Sequence, residues 1–250
     1  MNADSTDARD QFNAVIVGNG AIGSAMAKDL LKRHHAARVV MLGRSNGDDP
    51  RDSRLTFVAF DACDPDSIVA SAAEVEKLFP RVHLLVNTVG LLHSESQQPE
   101  KNLRAVRADN LQRSFQVNAI LLPLLAQAFS RHLRHEEPAA LVSLSARVGS
   151  IEDNQMGGWY GYRASKAAHN MLLKTLAREW RISHRNVTVA ALHPGTVRSR
   201  LSQPFLNEKS YPKRILTPDE SAQALLGIIE GLAPAESGSF LDWQGKAIPW

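Results

Sequence analysis

Short, wholly apolar runs alternate along this chain with segments whose apolar residues recur every three or four positions. Ala14-Val15-Ile16-Val17 is a run of the first kind and stops at Gly18. Ala21 to His34 is of the second kind, with Ile22, Met26, Leu30 and Leu31 on one side of a helix. Brief continuous runs read as strands buried on both faces. By that rule Arg38 to Leu42, Thr56 to Phe60, His83 to Val86, Ala140 to Leu144 and Val187 to Leu192 are strands, and Ser239 to Leu241 is a last short one. Helices fill the intervals. Asp64 is the N-cap of a helix that has Pro65 at its first position and runs to Phe79. A long helix covers Asp109 to about Arg134, and Pro123 predicts a kink in it. Another runs from Tyr160 to about Arg181. Thr217-Pro218-Asp219-Glu220 is a capping box that opens a helix to about Leu232. The stretches 91–107, 147–159 and 194–216 read as irregular.

Repeated strand–helix alternation implies a parallel sheet with helices on both faces. The expected fold is α/β, a single doubly wound Rossmann-type domain with a mostly parallel sheet of about seven strands. Residues 13–250 form this domain and residues 1–12 a loose N-terminal tail, with no linker, repeat or second core in the pattern.

Composition changes the picture little. Charged residues make up 22% of the 250, and the net charge is +3. The basic residues are interleaved with acids rather than gathered in runs, which argues against nucleic acid as a partner. Cys63 is the single cysteine, so there is no internal disulfide, and a free thiol suits a reducing, cytoplasmic location. Met1 to Gln11 lacks the apolar stretch of a signal peptide, and no apolar run is long enough to span a bilayer, so no membrane partner is expected. No metal site is read.

Two motifs carry chemistry. Gly18-Asn19-Gly20-Ala21-Ile22-Gly23 follows the first strand and opens the first helix, the setting in which glycines admit a pyrophosphate to a helix N-terminus. Tyr162 and Lys166 are four residues apart and leave one helix face together. A nearby ammonium favours the phenolate and is expected to lower the phenol's pKa toward useful acid–base range. Tyr160 has no such partner, because Ala164 lies four residues on.

In this order the two motifs resemble the short-chain dehydrogenase/reductase family, from about Asn13 to Trp250. The resemblance implies an NAD(P)-dependent alcohol or carbonyl oxidoreductase acting on a small molecule, with Tyr162 and Lys166 as its catalytic pair. Asn118 matches the family's catalytic asparagine. Asn87-Thr88-Val89-Gly90 matches the element lining the cofactor cleft, and Asp61, with Ala62, the position beside the adenine. Pro194-Gly195-Thr196-Val197 and Ser199 match the segment facing the nicotinamide amide. Three further stretches, Gly157 to Arg163, His193 to Val197 and Phe240 to Lys246, resemble the C-factor-like branch, which includes bacterial proteins linked to cell-to-cell signalling. The alternative function is therefore a cofactor-bound signalling or regulatory protein with little turnover. Family relatives pair through the helices that here begin near Asp109 and Tyr160, so a homodimer or homotetramer is expected.

Two positions depart from the family. The glycine turn is one residue short, with Ala21 where a glycine is usual. The catalytic serine should stand at position 146, which is alanine; Ser145 is the candidate and Ser143 the fallback. For the cofactor, NADP(H) is expected over NAD(H), with NAD(H) still possible. The ribose-binding acidic position at the end of the second strand is Gly43, which leaves room for a 2′-phosphate, and Arg44 can pair with that phosphate while Ser45 adds a hydrogen bond.

Overall fold

The computed structural model describes residues 11–44, 52–206 and 214–250. The expected N-terminal tail through residue 10 and Ser45 lie outside the described residues. Seven strands form one sheet: β1 (Asn13–Val17), β2 (Arg38–Gly43), β3 (Leu55–Ala59), β4 (Leu84–Asn87), β5 (Ala139–Leu144), β6 (Val187–His193) and, last in chain order, Ser239–Asp242. A further pair, β7 (Thr196–Val197) and β8 (Ile215–Leu216), stands apart, so the last strand of the large sheet is β9. The sheet order is β3-β2-β1-β4-β5-β6-β9, and every pairing is parallel.

Side chains alternate across a strand, and both faces are covered. Val15 and Val17 point into one core with Leu121, Leu125, Phe129 and Leu173, beneath α2 (Pro65–Leu78), α4 (Leu121–Leu133) and α5 (Tyr160–Ser183). Ala14 and Ile16 point into the other with Met26, Leu30, Leu225 and Leu226, beneath α1 (Ala21–Arg33) and α6 (Pro218–Gly231). That double burial is why the strands read as unbroken apolar runs rather than alternating ones.

Strand order reverses between β1 and β4. In a doubly wound sheet the crevice at such a switch point, beyond the carboxyl ends of the strands, is where a ligand binds. The glycine turn after β1, Gly43 at the end of β2 with Arg44 after it, Asp61 after β3, Asn87 at the end of β4 with Thr88 to Gly90 after it, Ser145 after β5 and Pro194-Gly195 after β6 all lie at that one edge.

The long helix expected from Asp109 is divided. α3 (Ala108–Phe115) passes through a wider π-helical turn (Gln116–Ile120) into α4. Pro123 sits in the first turn of α4, just past the point where the hydrogen-bond spacing changes, so its missing N–H falls at an existing break rather than in a regular ladder. Asn118 lies in the middle of that π turn.

Candidate active site

The turn after β1 is built around two glycines. Gly18 has φ +103°, and its N–H donates to the Leu42 carbonyl at 2.8 Å. A Cβ on Gly23 would stand 2.0 Å from the Gly18 carbonyl oxygen and 2.9 Å from Thr88 Oγ1. Thr88 Oγ1 reaches the carbonyls of Val17 (2.9 Å) and Gly18 (3.1 Å), joining the end of β4 to the turn. α1 begins with no side-chain cap and no acidic residue in its first turn; Gly20 and Ala21 are exposed and Ile22 half-buried. Its free N–H groups and positive end face open space, which fits a pyrophosphate. Ala21, the departure from the family pattern, is the first helical residue, where a methyl group is accommodated.

At the end of β2 the structure corrects one expectation. The space beside Gly43 is not vacant: a Cβ there would lie 2.6 Å from the Asn19 carboxamide. An acidic side chain at 43 would collide with Asn19 as it stands. Arg44 follows and is exposed. It shares a corner with Asp61: burial and then Asp61 push the Cys63 thiol up, while Arg113 and Arg44 pull it down. Asp61 Oδ1 accepts from the Cys63 N–H at 2.9 Å, and Ala62 packs on the core.

Asn118, Tyr162 and Lys166 come together beneath the ends of β4 and β5. Asn118 is buried, donates to the Leu91 carbonyl (2.8 Å) and Ser165 Oγ (3.0 Å), and accepts from the Leu91 N–H (2.7 Å). Ser165 lies between Tyr162 and Lys166 on α5, so the π turn is tied to that helix. Lys166 is buried, and its Nζ donates to the Leu144 carbonyl at 2.8 Å. Burial lowers the Lys166 pKa to about 8 and raises that of Tyr162 to about 12. Against the sequence-based expectation of a lowered phenol pKa, the shift in this structure is upward and its cause is desolvation. A phenol shifted upward holds its proton at neutral pH.

Neither serine faces the cleft with a spare hydroxyl proton. Ser145 and Ser143 are two residues apart and point the same way, toward α5. Ser145 Oγ donates to Asn170 Oδ1 at 2.6 Å. Ser143 Oγ accepts from Asn87 Nδ2 (3.0 Å) and contacts His169 Nε2 (2.7 Å). Asn87 Oδ1 in turn accepts from the Val89 N–H at 3.1 Å. A buried polar line therefore runs from the cofactor-side loop through β4 and β5 to α5. His169, buried in it, is lowered to about 3, by desolvation first and then by Lys166. Below its ordinary pKa of 6.5 the unfolded chain binds a proton at this position that the folded chain refuses. Stability from this group is complete above that value and is lost as pH falls toward 3, at about 1.4 kcal/mol per pH unit. Urea unfolding at stepped pH should show this slope, and His169→Gln should flatten it; equal slopes in the two proteins would contradict the account.

After β6, Gly195 has φ +80° and the Pro194 carbonyl accepts from Ser221 Oγ at 2.8 Å. Val197 is buried in β7, and the Ser199 N–H donates to Ser202 Oγ at 3.1 Å. A Cβ at Gly90 would meet Asn118, Leu201 and Lys166 at 3.9 Å each, so Gly90 lines the space between them. Thr88 as a strut, Asn19 over Gly43 and the His169 network escaped sequence reading, because each depends on residues distant in the chain.

The sequence model of the short chain dehydrogenase family matches residues 13–210. The chain belongs to the short-chain dehydrogenase family. It is 30% identical over 190 residues to 1-hydroxy-2-glutathionyl-2-methyl-3-butene dehydrogenase of Rhodococcus sp. (strain AD45), covering 76% of this chain and 78% of that one. It is 32% identical over 149 residues to the C-signal protein of Myxococcus xanthus, covering 56% and 79%. The structure superposes on NADPH-bound carbonyl reductase from chicken fatty liver with a TM-score of 0.81 at 27% identity, covering 96% of this chain and all of that one. As a short-chain dehydrogenase the protein is an NAD(P)-dependent oxidoreductase. Among the described residues no helix is long and apolar enough to cross a membrane, and no cluster of His, Cys, Asp or Glu could hold a metal ion.

Proposed function

We propose that this short-chain dehydrogenase interconverts a carbonyl and an alcohol, prefers NADP(H), and uses Tyr162 as its proton donor. The observation that carries the reading is the placement of Tyr162 and Lys166 one turn apart on α5, with Lys166 buried and its Nζ on the Leu144 carbonyl at the end of β5, and with Asn118 bonded to Ser165 between them. The turn from Gly18 to Gly23 would hold the pyrophosphate, Asp61 and Ala62 would flank the adenine, and Asn87 to Gly90 with Pro194, Gly195, Val197 and Ser199 would hold the nicotinamide half. The bound cofactor supplies or accepts the hydride. Tyr162, protonated at neutral pH, donates to the carbonyl oxygen; Lys166 orients the nicotinamide ribose and supports the phenolate once it forms. Asn118, fastened to Leu91 and Ser165, leads the replacement proton in from solvent. With Ala146 at the usual serine position and Ser145 bonded to Asn170, the substrate oxygen is held by Tyr162, and Ser145 acts by positioning α5.

NADP(H) preference rests on the missing carboxylate at Gly43 and on exposed Arg44 beside it, whose guanidinium would pair with a 2′-phosphate. The structural similarity to an NADPH-bound carbonyl reductase supports it. Titrating both reduced cofactors should give tighter NADPH binding, and Arg44→Ala should weaken NADPH about tenfold, or about 1.4 kcal/mol. Tighter NADH, or no loss in Arg44→Ala, would overturn the assignment. Self-association through the π turn with α4 and through α5, where Ile120 and Met171 stand exposed, belongs to the same reading; light scattering measures it directly.

Ala146 and the similarity to C-signal favour a second reading, a cofactor-bound signalling protein with little turnover. Tight NADPH binding without NADPH oxidation across an aldehyde and ketone panel would select it.

A further inference from the structure

We infer that Trp159, Phe205 and His93 form an aromatic wall beside Tyr162 that selects carbonyl substrates carrying a flat ring next to the reacting carbon. This rests on the reading of Tyr162 as proton donor to a carbonyl.

The three rings come from separate stretches. His93 follows β4, Trp159 immediately precedes α5, and Phe205 closes a short 3-10 turn (Gln203–Phe205) after β7. They meet edge to face in a chain that ends on the catalytic tyrosine. Ring centroids are 5.4 Å apart for His93 and Phe205, 5.3 Å for Phe205 and Trp159, and 6.2 Å for Trp159 and Tyr162, with interplanar angles of 62–70°. His93 Nε2 also lies 3.1 Å from the Arg200 carbonyl, joining the two loops. All three rings are half-buried, so part of each remains open to a ligand. Edge-to-face arrays extend favourably to one more flat ring, whereas a puckered saturated ring of equal size presents no face to them.

The backbone beneath Trp159 points the same way. Its φ is +51°, in the left-handed region, and it is the one non-glycine residue with positive φ among the described residues. Gly157 (φ +63°) and Gly158 (φ +64°) precede it, so three successive residues are left-handed. A bulky side chain there is strained where glycine would be relaxed. The surrounding structure holds it: the Trp159 N–H donates to the Glu100 carbonyl at 2.5 Å, and the buried Glu100 carboxylate accepts from the Gly161 N–H at 3.1 Å. That carboxylate serves as cap to a helix that lacks one of its own. Strain maintained by such bracing, next to the reacting group, marks a side chain whose ring has a use.

The test compares benzaldehyde with cyclohexanecarbaldehyde, two aldehydes of similar size with flat and puckered rings, each reduced with NADPH. Trp159→Asn removes the ring and keeps a residue that tolerates left-handed backbone. It should lower kcat/KM for benzaldehyde about tenfold while changing that for cyclohexanecarbaldehyde less than about threefold. NADPH affinity should be unchanged. Phe205→Leu, on a different element with ordinary backbone, should shift the ratio in the same direction and decides the matter if Trp159→Asn does not fold. Equal losses for both aldehydes in Phe205→Leu, or no loss, would overturn the wall while leaving the carbonyl reductase reading in place. No reduction of either aldehyde by the wild type would overturn both.

Discussion

Tyr162→Phe is expected to bind NADPH as tightly as the wild type and to reduce carbonyl compounds at no more than about a thousandth of its rate. The substitution removes a single oxygen. The ring stays, with its edge contact to Trp159 and its place on the third residue of α5. In the proposed mechanism the hydroxyl is the proton source in the reducing direction, and its raised pKa, about 12, keeps that proton in place at neutral pH until the carbonyl oxygen gains charge. With position 146 an alanine and the Ser145 hydroxyl turned toward Asn170, no second hydroxyl is available to replace it. Single-turnover reduction with bound NADPH isolates this step from cofactor exchange. Retention of wild-type turnover in Tyr162→Phe would refute the mechanism.

Gly23→Ala should be the most damaging one-methyl change in the cofactor site. The added carbon would lie 2.0 Å from the Gly18 carbonyl oxygen, and backbone at that distance cannot be avoided by rotating a side chain. Either α1 moves away from the sheet or the Gly18 turn opens. The second course breaks the contacts of Thr88 Oγ1 with the Val17 and Gly18 carbonyls. Overpacking of this kind costs about 1–3 kcal/mol in stability. Displacement of the turn should weaken NADPH binding at least about tenfold, because the free N–H groups of α1 no longer converge on the phosphates. Thermal unfolding and a fluorescence titration of NADPH read the two effects separately. Gly20→Ala is the control, since nothing lies within 4 Å of a Cβ there. If Gly23→Ala behaved like Gly20→Ala, the close approach would be wrong.

Much of the fold was legible because its signals are local. Each buried strand is a short apolar run, α2 and α6 carry their own caps, and the glycine turn sits between the first two elements. Asp64 and Thr217 cap their helices as expected, each accepting from a backbone N–H two or three residues on. What escaped depends on contacts between distant residues. β7 and β8 have two residues each, too few to show a period, and exist because Thr196 and Val197 pair with Ile215 and Leu216. The π turn at Asn118 leaves no periodic trace apart from Pro123 nearby. The direction of the Ser145 hydroxyl was set by Asn170, twenty-five residues away. The space beside Gly43 looked open in the sequence because nothing in Asn19 shows that its side chain folds over β2. Tyr162 and Lys166 were found from their spacing, but their pKa directions follow from burial, which spacing does not report.

β9 enters the sheet after every other strand, yet it carries Asp242, whose carboxylate meets Arg147 at 3.3 Å, one residue beyond Ala146. An all-parallel sheet has no hairpins, so each pairing closes a long stretch of chain and waits for its crossover. On the ribosome, β6 therefore emerges with a bare edge, the kind of surface that recruits chaperones or other strands. The turn after β5 has its local ion pair between Arg147 and Asp153 but lacks its tie to the sheet until Ser239–Asp242 docks. A nascent chain can thus bring β1, β4 and the phosphate turn together well before the floor of its reaction site is fastened. Competence to bind nucleotide and competence to reduce should arrive at different moments of synthesis.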